Sequence, residues 1–236
     1  YPMIRQAREM IKNNELGEIQ RIDVQYYQGW MNTILHGNAE DKKIWRLNPE
    51  FAGIASCMAD IGVHAFNLVE YTTKLEINKV LADLNSFSET MKLDLDGTVL
   101  FRTKNDVHGV LRASQVANGE ENGIILSVYG SKSSIKWHQE NPNVLYHISQ
   151  NNPIQIYKPG NEYNYEFARN SHTLPFGHPE GFYEAFANIY AGTAKAIRGQ
   201  DVYDGEFPGI REGIRGMKFI ESVVRSNKEN NTWTKL

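Results

Sequence analysis

Apolar and polar positions along this chain repeat with two periods, and each change of period marks a new element. Over residues 3–14, Met3, Ala7, Met10 and Ile11 form an apolar stripe at helical spacing, with Arg5, Arg8, Glu9 and Lys12 outside it. Leu16-Gly17 closes that helix, since glycine takes the left-handed turn a helix end often needs. Over residues 19–28 the period drops to two: Ile22, Val24 and Tyr26 share one face, and Arg21, Asp23 and Gln25 the other. That is a strand. Residues 29–41 read as a polar loop, and 42–51 as irregular chain around Trp45 and Pro49. Gly53 precedes a helix over residues 56–71.

Further strands are expected at 77–87, 97–103, 108–116, 124–129, 134–137, 144–148 and 154–157. Polar turns separate several of them, at Lys104-Asn105-Asp106 and Gly130-Ser131-Lys132 and in an Asn-rich stretch ending at Pro153. Residues 159–179 form a polar loop long enough to suggest function or mobility. The helix expected over 181–198 has Phe182, Ala185, Phe186, Ile189, Tyr190 and Ile197 as its stripe. The helix over 211–228 turns Ile214, Met217, Ile220, Val223 and Val224 inward. The sum is an α+β fold: a large open sheet of seven or eight strands, predominantly antiparallel in meander order, with helices on one face. The other face, carrying Arg112, Ser114 and Gln115, is either solvated or meets a second copy.

Composition narrows the class. At 236 residues, 41% hydrophobic and 22% charged, the chain can build one sizeable core. A net charge of -3 gives no electrostatic case for nucleic acid or an anionic membrane. No apolar run is long enough for a membrane span, and no signal-peptide pattern opens the chain. A single cysteine, Cys57, excludes a disulfide framework within the chain and fits a reducing cytoplasm; it reads as a small buried residue rather than a nucleophile. The chain starts without Met, directly on a helical pattern, which suggests a piece of a longer protein. Asn230-Asn231-Thr232 is a glycosylation sequon best taken as chance in that setting.

The chemistry concentrates at Met58-Ala59-Asp60-Ile61-Gly62-Val63-His64. On a helix, Asp60 and His64 lie on one face about one turn apart, two polar groups on an otherwise buried element. A carboxylate and an imidazole can do acid–base work near neutral pH, hold part of a metal site, or satisfy each other in a core. A metal site needs a third ligand, and this helix has no second His to supply one. Gln28 and Trp30 end the first strand, where an amide and an indole can grip a hydroxylated ring or merely terminate the strand. Arg46 beside Trp45 is an anion ligand or the partner of a nearby carboxylate. His172 and His178 lie in the long loop, where a histidine is ordinarily exposed; the stretch 177–181 opens a helix whose free N–H groups could meet a polar ligand. No G-x-G-x-x-G turn, Walker motif or G-x-S-x-G elbow occurs.

Taken together, these residues resemble the Gfo/Idh/MocA family, the glucose–fructose oxidoreductase and inositol dehydrogenase group. The likeness begins at Tyr1-Pro2-Met3-Ile4-Arg5-Gln6-Ala7-Arg8 and Gly17-Glu18-Ile19, and continues through Trp45-Arg46, Ala52-Gly53 and Asp60-Ile61-Gly62-Val63-His64. It ends with Gly177-His178-Pro179-Glu180-Gly181-Phe182 and the helix before Trp233. The resemblance implies a C-terminal substrate-binding and oligomerising domain over residues 18–236, with residues 1–17 as the inter-domain helix left from a missing N-terminal Rossmann domain. That missing part would hold most of the NAD or NADP and the catalytic lysine of a Glu-Lys-Pro motif, leaving this chain inactive alone. By matched position His64 would exchange the substrate hydroxyl proton and Asp60 would bind substrate, while Gln28, Trp30, Arg46 and His178 would line a sugar or polyol pocket. The implied protein is a cytoplasmic homo-oligomer, dimer or tetramer through the open sheet face, using no metal. One departure is that Gly53 is followed by Ile54 where many members have a second glycine. Two rival readings are a non-catalytic sugar-binding or assembly module on the same scaffold, and a metal hydrolase built on Asp60 and His64.

Overall fold

The structure is a computed structural model that describes residues 1–37, 44–89 and 91–236. The end of the polar loop expected at 29–41 and the start of the irregular stretch expected at 42–51 lie outside the described residues. Among the described residues nine strands make one open sheet: β1 (Ile19–Tyr27), β2 (Ile77–Asn85), β3 (Asp96–Thr103), β4 (His108–Ser114), β5 (Gly123–Gly130), β6 (Ser134–His138), β7 (Leu145–Ile148), β8 (Gln155–Tyr157) and β9 (Thr234–Lys235). Their order is β8-β7-β6-β5-β1-β4-β3-β2-β9. The helices are α1 (Pro2–Lys12), α2 (Met31–Leu35), α3 (Pro49–Ala52), α4 (Val63–Thr73), α5 (Glu166–Arg169), α6 (Phe182–Ile197) and α7 (Ile210–Lys228).

The sheet is α+β as expected, and it is mixed. β1 inserts between β5 and β4, antiparallel to the first and parallel to the second. A simple meander fails here because the chain leaves β1 for the helical layer and re-enters the sheet at its far side, as β2. The two-residue β9 was not legible, since two residues carry no alternation; it pairs with β2 after α7 brings the chain back.

The core lies between one sheet face and α1, α4 and α7. Met3, Met10, Ile22, Val24, Phe66, Val80, Val99, Leu126, Val128, Phe219 and Val223 are all buried in it. Phe66 of α4 stacks on Phe219 of α7 with ring centroids 4.6 Å apart; burying each ring contributes roughly 1.5–3 kcal/mol. α1 is part of this core, and its buried arginines are tied to the rest of the body: Arg8 donates to the Tyr71 carbonyl at 2.6 Å and to Asp204 at 2.9 Å. Among the described residues no helix is long and apolar enough to cross a membrane.

Three departures from the sequence reading matter for the site. The stripe of α6 is largely uncovered: Phe182, Phe186, Ile189, Tyr190 and Ile197 are exposed, and only Ala185 of that set is buried. In α7, Ile214 and Met217 are likewise exposed while Ile220, Val223 and Val224 are inside. Periodicity identifies an apolar face; it does not say that the same chain covers it. Finally, the helix expected at 56–71 opens with a π-helical turn, Met58–Gly62, before continuing as α4.

Candidate active site

The π turn is anchored from the sheet. Asp94, buried just before β3, accepts the backbone N–H groups of Ser56 at 2.8 Å and Met58 at 2.7 Å. Its own carbonyl accepts from Cys57 N at 3.0 Å. Burial pushes the Asp94 carboxyl above its ordinary range, against the pull of those two N–H groups. Cys57 is fully buried and its thiol is pushed well up, chiefly by that burial, which makes it a poor nucleophile. This anchor sets the start of the turn, and the turn carries Asp60 and His64.

The pair is not enclosed in the core. His64 is exposed and the Asp60 side chain keeps 34% of its surface. Apolar Met58, Ile61, Ala65 and Phe66 face inward, so the turn holds the two polar groups at the open edge of the layer. No hydrogen bond joins Asp60 to His64 among the described residues; each has other neighbours. Asp60 Oδ2 accepts from Gln115 Nε2 at 2.8 Å and lies 3.4 Å from Arg46 Nε. Arg46 sits over two indoles, 4.6 Å from the Trp45 ring centroid and 5.8 Å from that of Trp30. Of the two roles open to Arg46, the structure shows the carboxylate partner, steadied by cation–π contact.

A second strand of contacts leads from Trp30 to His64. Trp30 Nε1 donates to Gln28 Oε1 at 2.9 Å, and Gln28 Nε2 donates to Asn122 Oδ1 at 3.0 Å. The same Asn122 oxygen accepts from the Tyr26 hydroxyl at 2.5 Å. The Tyr26 ring then faces the His64 ring, with centroids 6.3 Å apart. Burial raises the Tyr26 phenol above its ordinary value, so it stays a neutral donor across the working range. Asp60, His64, Gln28, Trp30 and Arg46 are therefore joined into one network through Gln115, Asn122, Tyr26 and Trp45.

His178 stands apart. It is exposed before α6, its Nδ1 lies 3.0 Å from the Pro175 carbonyl, and no contact ties it to the network among the described residues. The N-terminus of α6 is already partly satisfied, because Glu184 accepts from Gly181 N at 2.8 Å. The loop's other histidine differs from expectation: the His172 side chain is only 3% exposed and faces Glu180 Oε2 at 3.3 Å. Residues 166–169 of that loop form the short α5.

Sequence reasoning missed Gln115 and Asn122. Gln115 was grouped with Arg112 and Ser114 on the open face, yet it is fully buried. By strand parity it belongs with Leu111 and Ala113, which are core residues, so the period-two rule carried the signal. Ser114 is buried as well, and its carbonyl accepts from Gln28 N at 2.8 Å. Asn122 lies in a polar turn before β5, where nothing in the pattern distinguishes it. Tyr26 shares a strand face with Gln28, two residues on, and could have been read from that spacing.

His64, Tyr26 and Asn122 stand on the wall of an open cavity of about 1110 Å³, lined also by Tyr71, Phe182 and Phe186. Asp60, Gln28, Trp30, Arg46 and His178 are not on that wall. Among the described residues no group of three or more His, Cys, Asp or Glu gathers as a metal site would require.

Comparison with known proteins gives a consistent picture. The sequence profile of the GFO/IDH/MocA C-terminal domain matches residues 4–136. The uncharacterized oxidoreductase YfiI of Bacillus subtilis is 30% identical over 98% of this chain and 61% of its own length. The crystal structure of an oxidoreductase from Sinorhizobium meliloti superposes with a TM-score of 0.86 at 35% identity, over 100% of this chain and 62% of that one. An inositol dehydrogenase homolog from Azotobacter vinelandii, complexed with NADH and myo-inositol, gives a TM-score of 0.84 at 27% identity with the same coverage, 100% and 62%. The chain thus spans about three fifths of the proteins it matches.

Proposed function

The chain belongs to the GFO/IDH/MocA family through its C-terminal domain, and from that premise we propose that it is the substrate-binding part of an NAD(P)-dependent dehydrogenase acting on a sugar or polyol. The observation that carries this reading is an exposed imidazole, His64, on the wall of a large cavity, four residues from a carboxylate held by an amide and a guanidinium. The myo-inositol bound by the Azotobacter vinelandii homolog supports the substrate class.

The residues present fit one end of a nicotinamide cofactor. The cavity beside His64 has room for a flat ring and a polyol, and Tyr26 and Asn122 on its wall offer polar edges. The sequence has no glycine-rich turn for the pyrophosphate, so that end falls to residues outside this chain. When bound, the nicotinamide supplies the hydride acceptor or donor. His64 takes the substrate's hydroxyl proton onto its ring as the carbonyl forms, and returns it in the opposite direction. Asp60 lies off the wall of that cavity, at the open edge beside His64, and we assign it a hydrogen bond from the part of the substrate that extends past His64 toward that edge. Gln28, Trp30 and Arg46 hold the Asp60 side of the site in shape. We assign His178 to the rim of the substrate site when the remaining part of the protein is in place. We also propose that the sheet face opposite the helices, where Leu100 and Arg112 are exposed, pairs with a second copy; light scattering reads that state directly, and a clean monomer contradicts it.

The central test is His64→Ala in the full-length protein. Turnover should fall about 10²–10⁴-fold, the range for losing a positioned proton carrier, with cofactor affinity nearly intact. Unchanged turnover would refute the proton-transfer role.

A further inference from the structure

We propose that Gln115 is a positioning residue for the reaction: it fixes Asp60 by one carboxylate oxygen and so leaves the other to the substrate. The inference rests on the reading of Asp60 as a substrate ligand given above.

The backbone of Gln115 is pinned on both sides. Its N–H donates to the Leu95 carbonyl at 2.8 Å, and its carbonyl accepts from Met31 N at 3.0 Å. The side chain is fully buried, and its Nε2 donates to Asp60 Oδ2 at 2.8 Å. Its Oε1 is buried with no hydrogen-bond partner among the described residues. A neutral buried amide with one end unpaired costs the fold free energy, and an apolar side chain of the same length would avoid that cost. What an apolar residue cannot do is donate to a carboxylate.

The geometry divides the work of Asp60 between its two oxygens. Oδ2 takes the Gln115 hydrogen bond and is also the oxygen nearest Arg46 Nε, at 3.4 Å. No hydrogen bond reaches Oδ1 among the described residues, and the side chain keeps 34% of its surface. Gln115 is suited to the task because it is uncharged. It holds an oxygen that accepts, without adding a second cation to Arg46, and it is too deeply buried to be a ligand itself. The titratable or charged groups acting on Asp60 from neighbouring elements are Arg46, Tyr26 and Cys57. None of them anchors Oδ2 from inside the core as Gln115 does.

The test pairs a variant with a measurement on the unaltered chain. Gln115→Met keeps length and burial while removing the donor. In the full-length protein it should raise KM for the polyol about ten- to a hundredfold, the scale of one hydrogen bond to a charged group, with KM for the cofactor unchanged. Gln115→Glu, which puts a like charge against Asp60, should lose more than Gln115→Met. In the unaltered chain, the side-chain amide ¹⁵N resonance of Gln115 should move with the midpoint of the Asp60 ¹³Cγ titration. This reading does not depend on any variant folding. An amide resonance that ignores the Asp60 titration overturns the inference, as does a folded Gln115→Met enzyme with unaltered polyol KM. Asp60→Asn in parallel separates the two levels. Full activity there sinks the reading of the site, whereas loss there beside a normal Gln115→Met sinks only the role of Gln115.

Discussion

The rings of Tyr26 and His64 face each other with centroids 6.3 Å apart and planes inclined at 57°. The Tyr26 hydroxyl is turned away to Asn122 Oδ1 at 2.5 Å, and burial keeps the phenol protonated. On the proposed mechanism, Tyr26 therefore shapes the imidazole's surroundings and leaves the proton transfer to His64. Tyr26→Phe keeps the ring and removes the hydrogen bond, so turnover should fall only about two- to tenfold, the worth of one neutral hydrogen bond. Steady-state kinetics beside His64→Ala decide the matter; equal losses in the two variants would make the hydroxyl a proton carrier.

Asp94 holds the start of the turn that carries the pair, through the N–H groups of Ser56 and Met58. Asp94→Asn keeps the shape but leaves one acceptor oxygen for two donors, and turns an NH₂ group toward the other. The expected loss is about 1–3 kcal/mol, the cost of a buried donor left unpaired. Denaturant melts should show it, and polyol KM should rise because Asp60 moves with the turn. A variant as stable as the parent would mean that the turn holds its own geometry.

Much of this arrangement was legible because it is local. Helical and strand periods located α1, α4, α6, α7 and all the long strands, and the spacing of Asp60 and His64 put them on one turn. Helices α2, α3 and α5, one turn or so each, lie in stretches that read as loop because so few residues carry no helical period. Gln28, Trp30 and Arg46 were readable as polar or aromatic groups near Asp60 and His64; the structure links them to that pair by hydrogen bonds and ring contacts, but off the wall of the cavity that His64 lines. What escaped was set by distant chain. The π turn depends on Asp94, more than thirty residues later. The parallel pairing of β1 with β4 depends on where the chain re-enters the sheet. The apolar stripe of α6 was found correctly, yet its exposure reflects the absence of a partner surface within the described residues, which periodicity does not encode.

Gly109 marks a tight spot in the centre of the sheet. It pairs with Ile22 on β1 and Phe101 on β3. A Cβ added there would lie 2.0 Å from Phe101 Cζ and 2.7 Å from the Ile22 carbonyl oxygen. The ring of Phe101 is itself buried in the core. Gly109→Ala should therefore destabilise by about 1–3 kcal/mol, the usual cost of overpacking, seen as a lower denaturant midpoint with an unchanged slope. A neutral effect would show that the ring has free space beyond it.

Tyr165 ties the long loop to α1 and to the chain just after it. Its hydroxyl donates to Glu15 Oε1 at 2.6 Å, and its N–H donates to Gln6 Oε1 at 2.8 Å. The hydrogen bond to Glu15, with some help from burial, pushes the phenol up from its ordinary value of 10.0 to about 12. An acid whose folded pKa is raised stabilises the fold fully below its unfolded pKa and loses that contribution as pH climbs through the folded one. The tether should therefore be constant up to about pH 10 and fade between there and about 12. The difference in ultraviolet absorbance between the parent and Tyr165→Phe isolates this one phenol among the chain's 12 tyrosines. Its midpoint should fall near 12, and the stability difference between the two proteins should shrink over the same window. A midpoint close to 10 would mean that Tyr165 and Glu15 are not joined in solution, and that the loop is held to α1 by Gln6 and packing alone.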